Sequence, residues 1–154
     1  IHIKYDNHLI RRPADGAPFK PHFLLDNNVM IMTLFPGIRK EVVDTCFSVK
    51  GLRAVVLKTY GAGNAPQKPW FVERIKRLID NGIIGVTITQ CSKGSAEMHR
   101  YETGLQLLQA GVINGYDSTL EAMVTKLMFL LGHDYSTQEI IRLMNANIAG
   151  EITL

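Results

Sequence analysis

VVLKTYGAGNAPQKPW, Val55 to Trp70, decides the fold. A continuous apolar run ends at a loop with two glycines, an Asn and a Pro, and a helix-like pattern follows. A strand that feeds a helix through a short polar loop is half of a βαβ unit. Two further runs repeat the theme, NVMIMTLF (28–35) and GIIGVTIT (82–89), with LRAVVLKT (52–59) between them. All three are continuous rather than alternating, which is what a strand covered on both faces requires.

The intervening segments carry helical stripes. Ile38, Val42, Val43, Cys46 and Phe47 share one face, with Pro36 ahead as a starter. Trp70, Phe71, Arg74, Ile75, Leu78 and Ile79 share another, and Gly82 stands where a helix would stop. In the last third, 101–111, 118–132 and 136–150 read as helices, with VING (112–115) as a short strand before the second. Ser118-Thr-Leu-Glu121 and Ser136-Thr-Gln-Glu139 both fit the capping box. Alternating strands and helices imply a parallel sheet with right-handed crossovers, hence a three-layer α/β domain with a small parallel sheet flanked by helices. Residues 6–21, with three prolines and little periodicity, read as a loop or arm.

At 154 residues the chain is expected to form one domain. Its net charge of +3 comes from scattered basic residues, with Arg11–Arg12 the densest pair, so no nucleic-acid partner is expected. No apolar run approaches the roughly 18 residues of a membrane span. Cys46 and Cys91 are too few for a disulfide framework, which favours a reducing, cytoplasmic setting. His2, His8, His22, His99 and His133 are dispersed, with no H-x-x-x-H pair, so no metal site is expected. The chain opens on Ile1 within IHIKY, whose alternation reads as a strand, and a fragment of something longer is expected.

Ligands of open α/β sheets gather at the carboxyl ends of the strands, near a reversal of strand order. Three segments end there: LFPG (34–37), TYGAGNAPQ (59–67) and TQCSKGSAEMHRY (89–101). In the second, Gly61 and Gly63 permit unusual backbone angles, and Pro66 restricts Ala65, so the Asn64 amide could be aimed with little freedom. The residue types leave a plain βα turn and a ligand-holding loop both open. The G-x-G lacks a third glycine and a downstream acid, so it is not a dinucleotide fingerprint. Cys91, despite His99 nearby, has no nucleophile context and reads as a packed or pocket-lining thiol.

YGAGNAPQ (60–67), TQC (89–91), YETGLQLLQAGVINGYDSTLEAMVTKLMFLL (101–131) and NIAGEITL (147–154), in that order, resemble the C-terminal half of cytoplasmic-type (type I) L-asparaginases. IHIKY also resembles the first strand of that half, so the resemblance covers nearly all of 1–154. It implies a Rossmann/flavodoxin-like C-terminal domain of an enzyme that hydrolyses L-asparagine to aspartate and ammonia without a cofactor. The catalytic threonines and their lysine–aspartate pair would lie on an N-terminal domain absent from this chain, leaving no catalytic residue here and an inactive isolated fragment. The partners implied are that N-terminal domain and a second identical subunit, as homodimer or homotetramer, with this domain supplying part of the neighbour's substrate pocket.

Carried over residue by residue, the family's loop Asn falls on Asn64, beside Gly63, as substrate contacts. A glutamate ahead of the tyrosine matching Tyr101 points to Glu97. A regulatory asparagine site of some members points to Lys58 and Cys91, with Lys58 where the bacterial pattern has an Arg fork. The asparaginase-like subunit of a glutamyl-tRNA amidotransferase and a stand-alone amino-acid-binding domain are the alternative readings.

Overall fold

The computed structural model describes residues 2–5, 7, 10, 16, 18–91, 94–99 and 101–153. Four strands form one parallel sheet: β1 (Val29–Thr33), β2 (Ala54–Thr59), β3 (Ile84–Thr89) and β4 (Ile113–Asn114). Between and after them run α1 (Lys40–Phe47), α2 (Pro69–Asp80), α3 (Glu102–Gln109), α4 (Leu120–Gly132) and α5 (Thr137–Met144). The order across the sheet is β1-β2-β3-β4, with Val29 opposite Ala54, Ala54 opposite Ile84 and Val86 opposite Ile113.

Parity along the strands sorts the core into two layers. Val55 and Leu57 pack with Val43, Phe47, Phe71, Ile75 and Leu107, so α1, α2 and α3 cover one face. Ala54, Val56, Val86 and Ile88 pack with Met123, Leu127, Leu130, Ile140 and Met144, so α4 and α5 cover the other. This is the three-layer sandwich that the continuous apolar runs imply. Each large side chain taken fully out of water contributes about 1.5–3 kcal/mol, which makes both layers necessary. Three successive crossover helices on one face are what crossovers of a single hand produce. Strand order equals chain order, so the described sheet has no reversal of the kind that usually marks a ligand crevice. That part of the expectation is corrected: the carboxyl ends remain, the switch point does not.

Other departures are local. Pro36 lies in a turn, and α1 begins later, at Lys40; the proline that starts a helix is Pro69 of α2. After α2, Gly82 N–H donates to the Ile79 carbonyl at 2.8 Å and Ile83 N–H to the Leu78 carbonyl at 3.2 Å. That reciprocal pair is a Schellman stop, with Gly82 at φ +83°. The α5 capping box forms as read: the Ser136 hydroxyl accepts from Glu139 N–H and the Glu139 carboxylate from Ser136 N–H. At α4 the cap is one residue later, where the Thr119 hydroxyl accepts from Ala122 N–H at 3.2 Å and Ser118 is buried.

His2–Tyr5 form no strand, and Ile3 and Tyr5 are exposed. Alternation supplies one apolar side but no ladder partner, and none of the four described strands pairs with this segment. Ile1 and most of the 6–17 arm lie outside the described residues. From residue 18 the arm reaches the far end of α4, where Asp26 N–H donates to the Met128 carbonyl at 2.9 Å and His22 meets Phe129 edge-on at 5.7 Å. Among the described residues no helix is long and apolar enough to cross a membrane.

A buried ion pair fastens the C-terminal segment. Lys126 and Glu151 are 4% and 9% exposed, and Lys126 Nζ lies 2.6 Å from Glu151 Oε1. The same ammonium donates to the carbonyls of Met144 (3.2 Å) and Ala146 (2.6 Å), so its three hydrogens have three acceptors. Glu151 in turn accepts from the N–H groups of Ile148 and Ala149. Burial by itself raises the Glu151 carboxyl, but these donors together outweigh it and hold it at about 2.

Candidate functional site

The sequence after β2 folds back on itself within five residues. Tyr60 N–H donates to the Asn64 carbonyl at 3.0 Å and Asn64 N–H to the Tyr60 carbonyl at 2.8 Å, closing a loop over Gly61, Ala62 and Gly63. Gly63 has φ +112°, which side-chain-bearing residues rarely adopt, while a Cβ there would find only ordinary contacts near 3.5 Å. The glycine is needed for its backbone angle, not for room. Beneath the loop, burial pushes the Tyr60 phenol above its usual range.

Two neighbouring segments hold the loop. Glu97 N–H donates to the Ala62 carbonyl at 2.8 Å, and the Thr89 hydroxyl donates to the Gly61 carbonyl at 2.6 Å. The 94–99 segment is fixed to the sheet through Met98, fully buried, whose sulfur accepts from the Thr87 hydroxyl at 2.9 Å. Gln90 ties the strand ends together, its Nε2 donating to the carbonyls of Leu34 (2.6 Å) and Lys58 (2.8 Å). Thr89 and Gln90 of the TQC motif are thus structural ties across β1, β2 and the loop.

Asn64 is half-buried. Its Oδ1 accepts from the Thr103 hydroxyl at 2.5 Å and from Ala65 N–H at 3.2 Å. Thr103, in the first turn of α3, is buried, and no side-chain cap precedes it on Tyr101. Sequence reasoning missed Thr103, because a contact across 39 residues leaves no periodic trace. The only local signal was a threonine in a helix's first turn, where it has no preceding helical carbonyl to bond.

The structure brings Asn64, Gly63 and the Glu97 backbone together at the carboxyl ends of the strands; the Glu97 residue is exposed. Lys58 and Cys91 sit at the carboxyl ends of adjacent strands, Lys58 opposite Ile88 and Cys91 two residues past β3. Cys91 is exposed, its N–H donating to the Thr89 hydroxyl at 3.0 Å, and no hydrogen bond joins it to Lys58. Among the described residues no group of three or more His, Cys, Asp or Glu is placed to hold a metal ion. The arrangement can donate hydrogen bonds to a bound molecule and hold it in place; the Thr89 and Thr103 hydroxyls are committed to the Gly61 carbonyl and to Asn64 Oδ1.

Residues 28–144 match the family model of the glutaminase/asparaginase C-terminal domain. The chain is 39% identical over 132 residues to L-asparaginase 1 of Escherichia coli (strain K12), covering 86% of this chain and 39% of that protein. It is 37% identical over 142 residues to one of the subunits of glutamyl-tRNA(Gln) amidotransferase of Methanopyrus kandleri, covering 92% of this chain and 30% of that one. The crystal structure of L-asparaginase I from Vibrio cholerae superposes with a TM-score of 0.85 at 37% identity, over 94% of this chain and 42% of that chain. The chain therefore spans less than half the length of these relatives. By the model matched across most of its length and by this shared α/β architecture, it belongs to the glutaminase/asparaginase C-terminal domain family.

Proposed function

We propose that this chain is the C-terminal domain of a cytoplasmic-type L-asparaginase, which hydrolyses L-asparagine to L-aspartate and ammonia. In this reading the threonine nucleophiles belong to an N-terminal domain, and this domain lends Asn64 to the substrate pocket of a neighbouring identical subunit. The observation that carries it is the tethered carboxamide of Asn64: a polar group held on a rigid loop at the strand ends. Such a group suits positioning rather than chemistry. The arm supports an interface role, since Phe19 is 91% and Phe23 84% exposed on one short segment. Gly63 and Glu97 complete the substrate rim, and Lys58 and Cys91 are assigned to the regulatory asparagine pocket.

The test joins the chain to its parent N-terminal half and measures ammonia release from asparagine. Turnover should appear only in the joined protein, and Asn64→Ala should lower kcat/KM by about 1–3 kcal/mol, the scale of a lost polar contact. An unchanged rate would reduce the loop to a turn.

The similarity to the amidotransferase of Methanopyrus kandleri favours a second reading, in which the parent protein acts with a partner protein on tRNA-linked glutamate. Ammonia release from free asparagine without tRNA separates the two; release only in the presence of the charged tRNA and partner supports the second.

A further inference from the structure

We propose that Thr103 is a positioning residue that locks Asn64 as a hydrogen-bond donor, so that this subsite accepts a carboxylate or carbonyl oxygen and rejects an ammonium. The inference rests on the reading of Asn64 as a substrate contact.

A carboxamide can present either end, and which end faces outward is fixed by what the other end meets. Ala65 N–H can only donate, so the Asn64 atom 3.2 Å from it is the oxygen. Thr103 carries one hydroxyl hydrogen, and with Oδ1 already defined as an acceptor that hydrogen is directed to it, at 2.5 Å. Both lone pairs of Oδ1 are then used. What remains is the Nδ2 amide, which has no hydrogen bond among the described residues. Were Thr103 unable to donate, the weaker Ala65 contact alone would oppose rotation about χ2, and both ends would be presented in turn.

Most acceptors in the rest of the loop are likewise engaged within the protein. The carbonyls of Tyr60, Gly61, Ala62 and Asn64 are all occupied from within, by Asn64 N–H, the Thr89 hydroxyl, Glu97 N–H and Tyr60 N–H. Four of the loop's five carbonyls are thus committed within the protein, so the loop spends most of its acceptors away from a ligand. Thr103 itself is 3% exposed, so it touches the ligand only through Asn64. Its place in the first turn of α3 frees its hydroxyl from the usual bond to a preceding helical carbonyl.

The experiment compares four variants of the full-length protein: Thr103→Val, Thr103→Ser, Asn64→Ala and Asn64→Asp, with asparagine as substrate and thermal melting as a fold control. Thr103→Val keeps the shape and removes the donor. It should raise KM about three- to tenfold, the span of one net hydrogen bond, with kcat within about twofold. Thr103→Ser should restore the parent KM. Asn64→Asp, an acceptor carrying charge, should be worse than Asn64→Ala. A parent-like KM for Thr103→Val, or a Ser variant as poor as Val, overturns the role of Thr103. An Asp variant that binds as well as the parent overturns donor polarity. If Asn64→Ala itself leaves KM and kcat unchanged, the underlying assignment of Asn64 falls instead.

Discussion

Gly104 shows how narrow the tolerance is around the candidate site. A Cβ on it would run into the Met98 carbonyl oxygen and stand 2.9 Å from Met98 Cα, and neither is a flexible side-chain tip. The first turn of α3 can press against the 96–98 segment only without a side chain there. Gly104→Ala should therefore lower the unfolding free energy by about 2 kcal/mol or more, as overpacking against backbone does, measured by urea denaturation. The same displacement moves Thr103 away from Asn64. The loop was legible in the sequence because paired glycines and a proline mark it, while Asn64 was singled out within it by the family resemblance. The hydrogen-bond partner of Asn64 was not legible, since the Thr103 contact depends on how α3 docks, and docking leaves no local pattern.

Among the elements, those in β2 and β3 were legible because continuous apolar runs permit burial on both faces. The α5 start was legible because a capping box is a purely local chemical device. The α4 start was less so: Ser118 and Thr119 are adjacent caps of similar chemistry, and packing chose Thr119, leaving Ser118 buried. Ser136→Ala and Thr119→Ala should each cost about 1 kcal/mol, checked by thermal or denaturant melts. Equal stability of Thr119→Ala and the parent protein would return the cap to Ser118. IHIKY misled for a related reason. Alternation reports which side of a strand is apolar, yet says nothing of whether a neighbour exists to complete its hydrogen bonds.

On the scale of the whole molecule, the Lys126–Glu151 pair joins α4, the end of α5 and the C-terminal segment. Nothing in the sequence pairs two residues so far apart on different elements, and a lysine within an apolar helix reads as a surface residue. Because the folded carboxyl of Glu151 sits at about 2, below its ordinary 4.5, its stabilisation is complete above pH 4.5 and lost as pH falls toward 2. Integrated across that window the contribution is on the order of 3 kcal/mol. Urea midpoints measured from pH 6 to pH 2.5 should fall through this range, and Glu151→Gln should flatten the fall while lowering the neutral-pH midpoint. The order β1-β2-β3-β4 has a different consequence, for the history of the chain rather than its energy. Each strand pairs with the one made just before it, about 25–30 residues earlier. No described strand has to be inserted between two already in place, so the sheet can be laid down from one edge at the pace of synthesis, with one open edge at each step waiting for its successor.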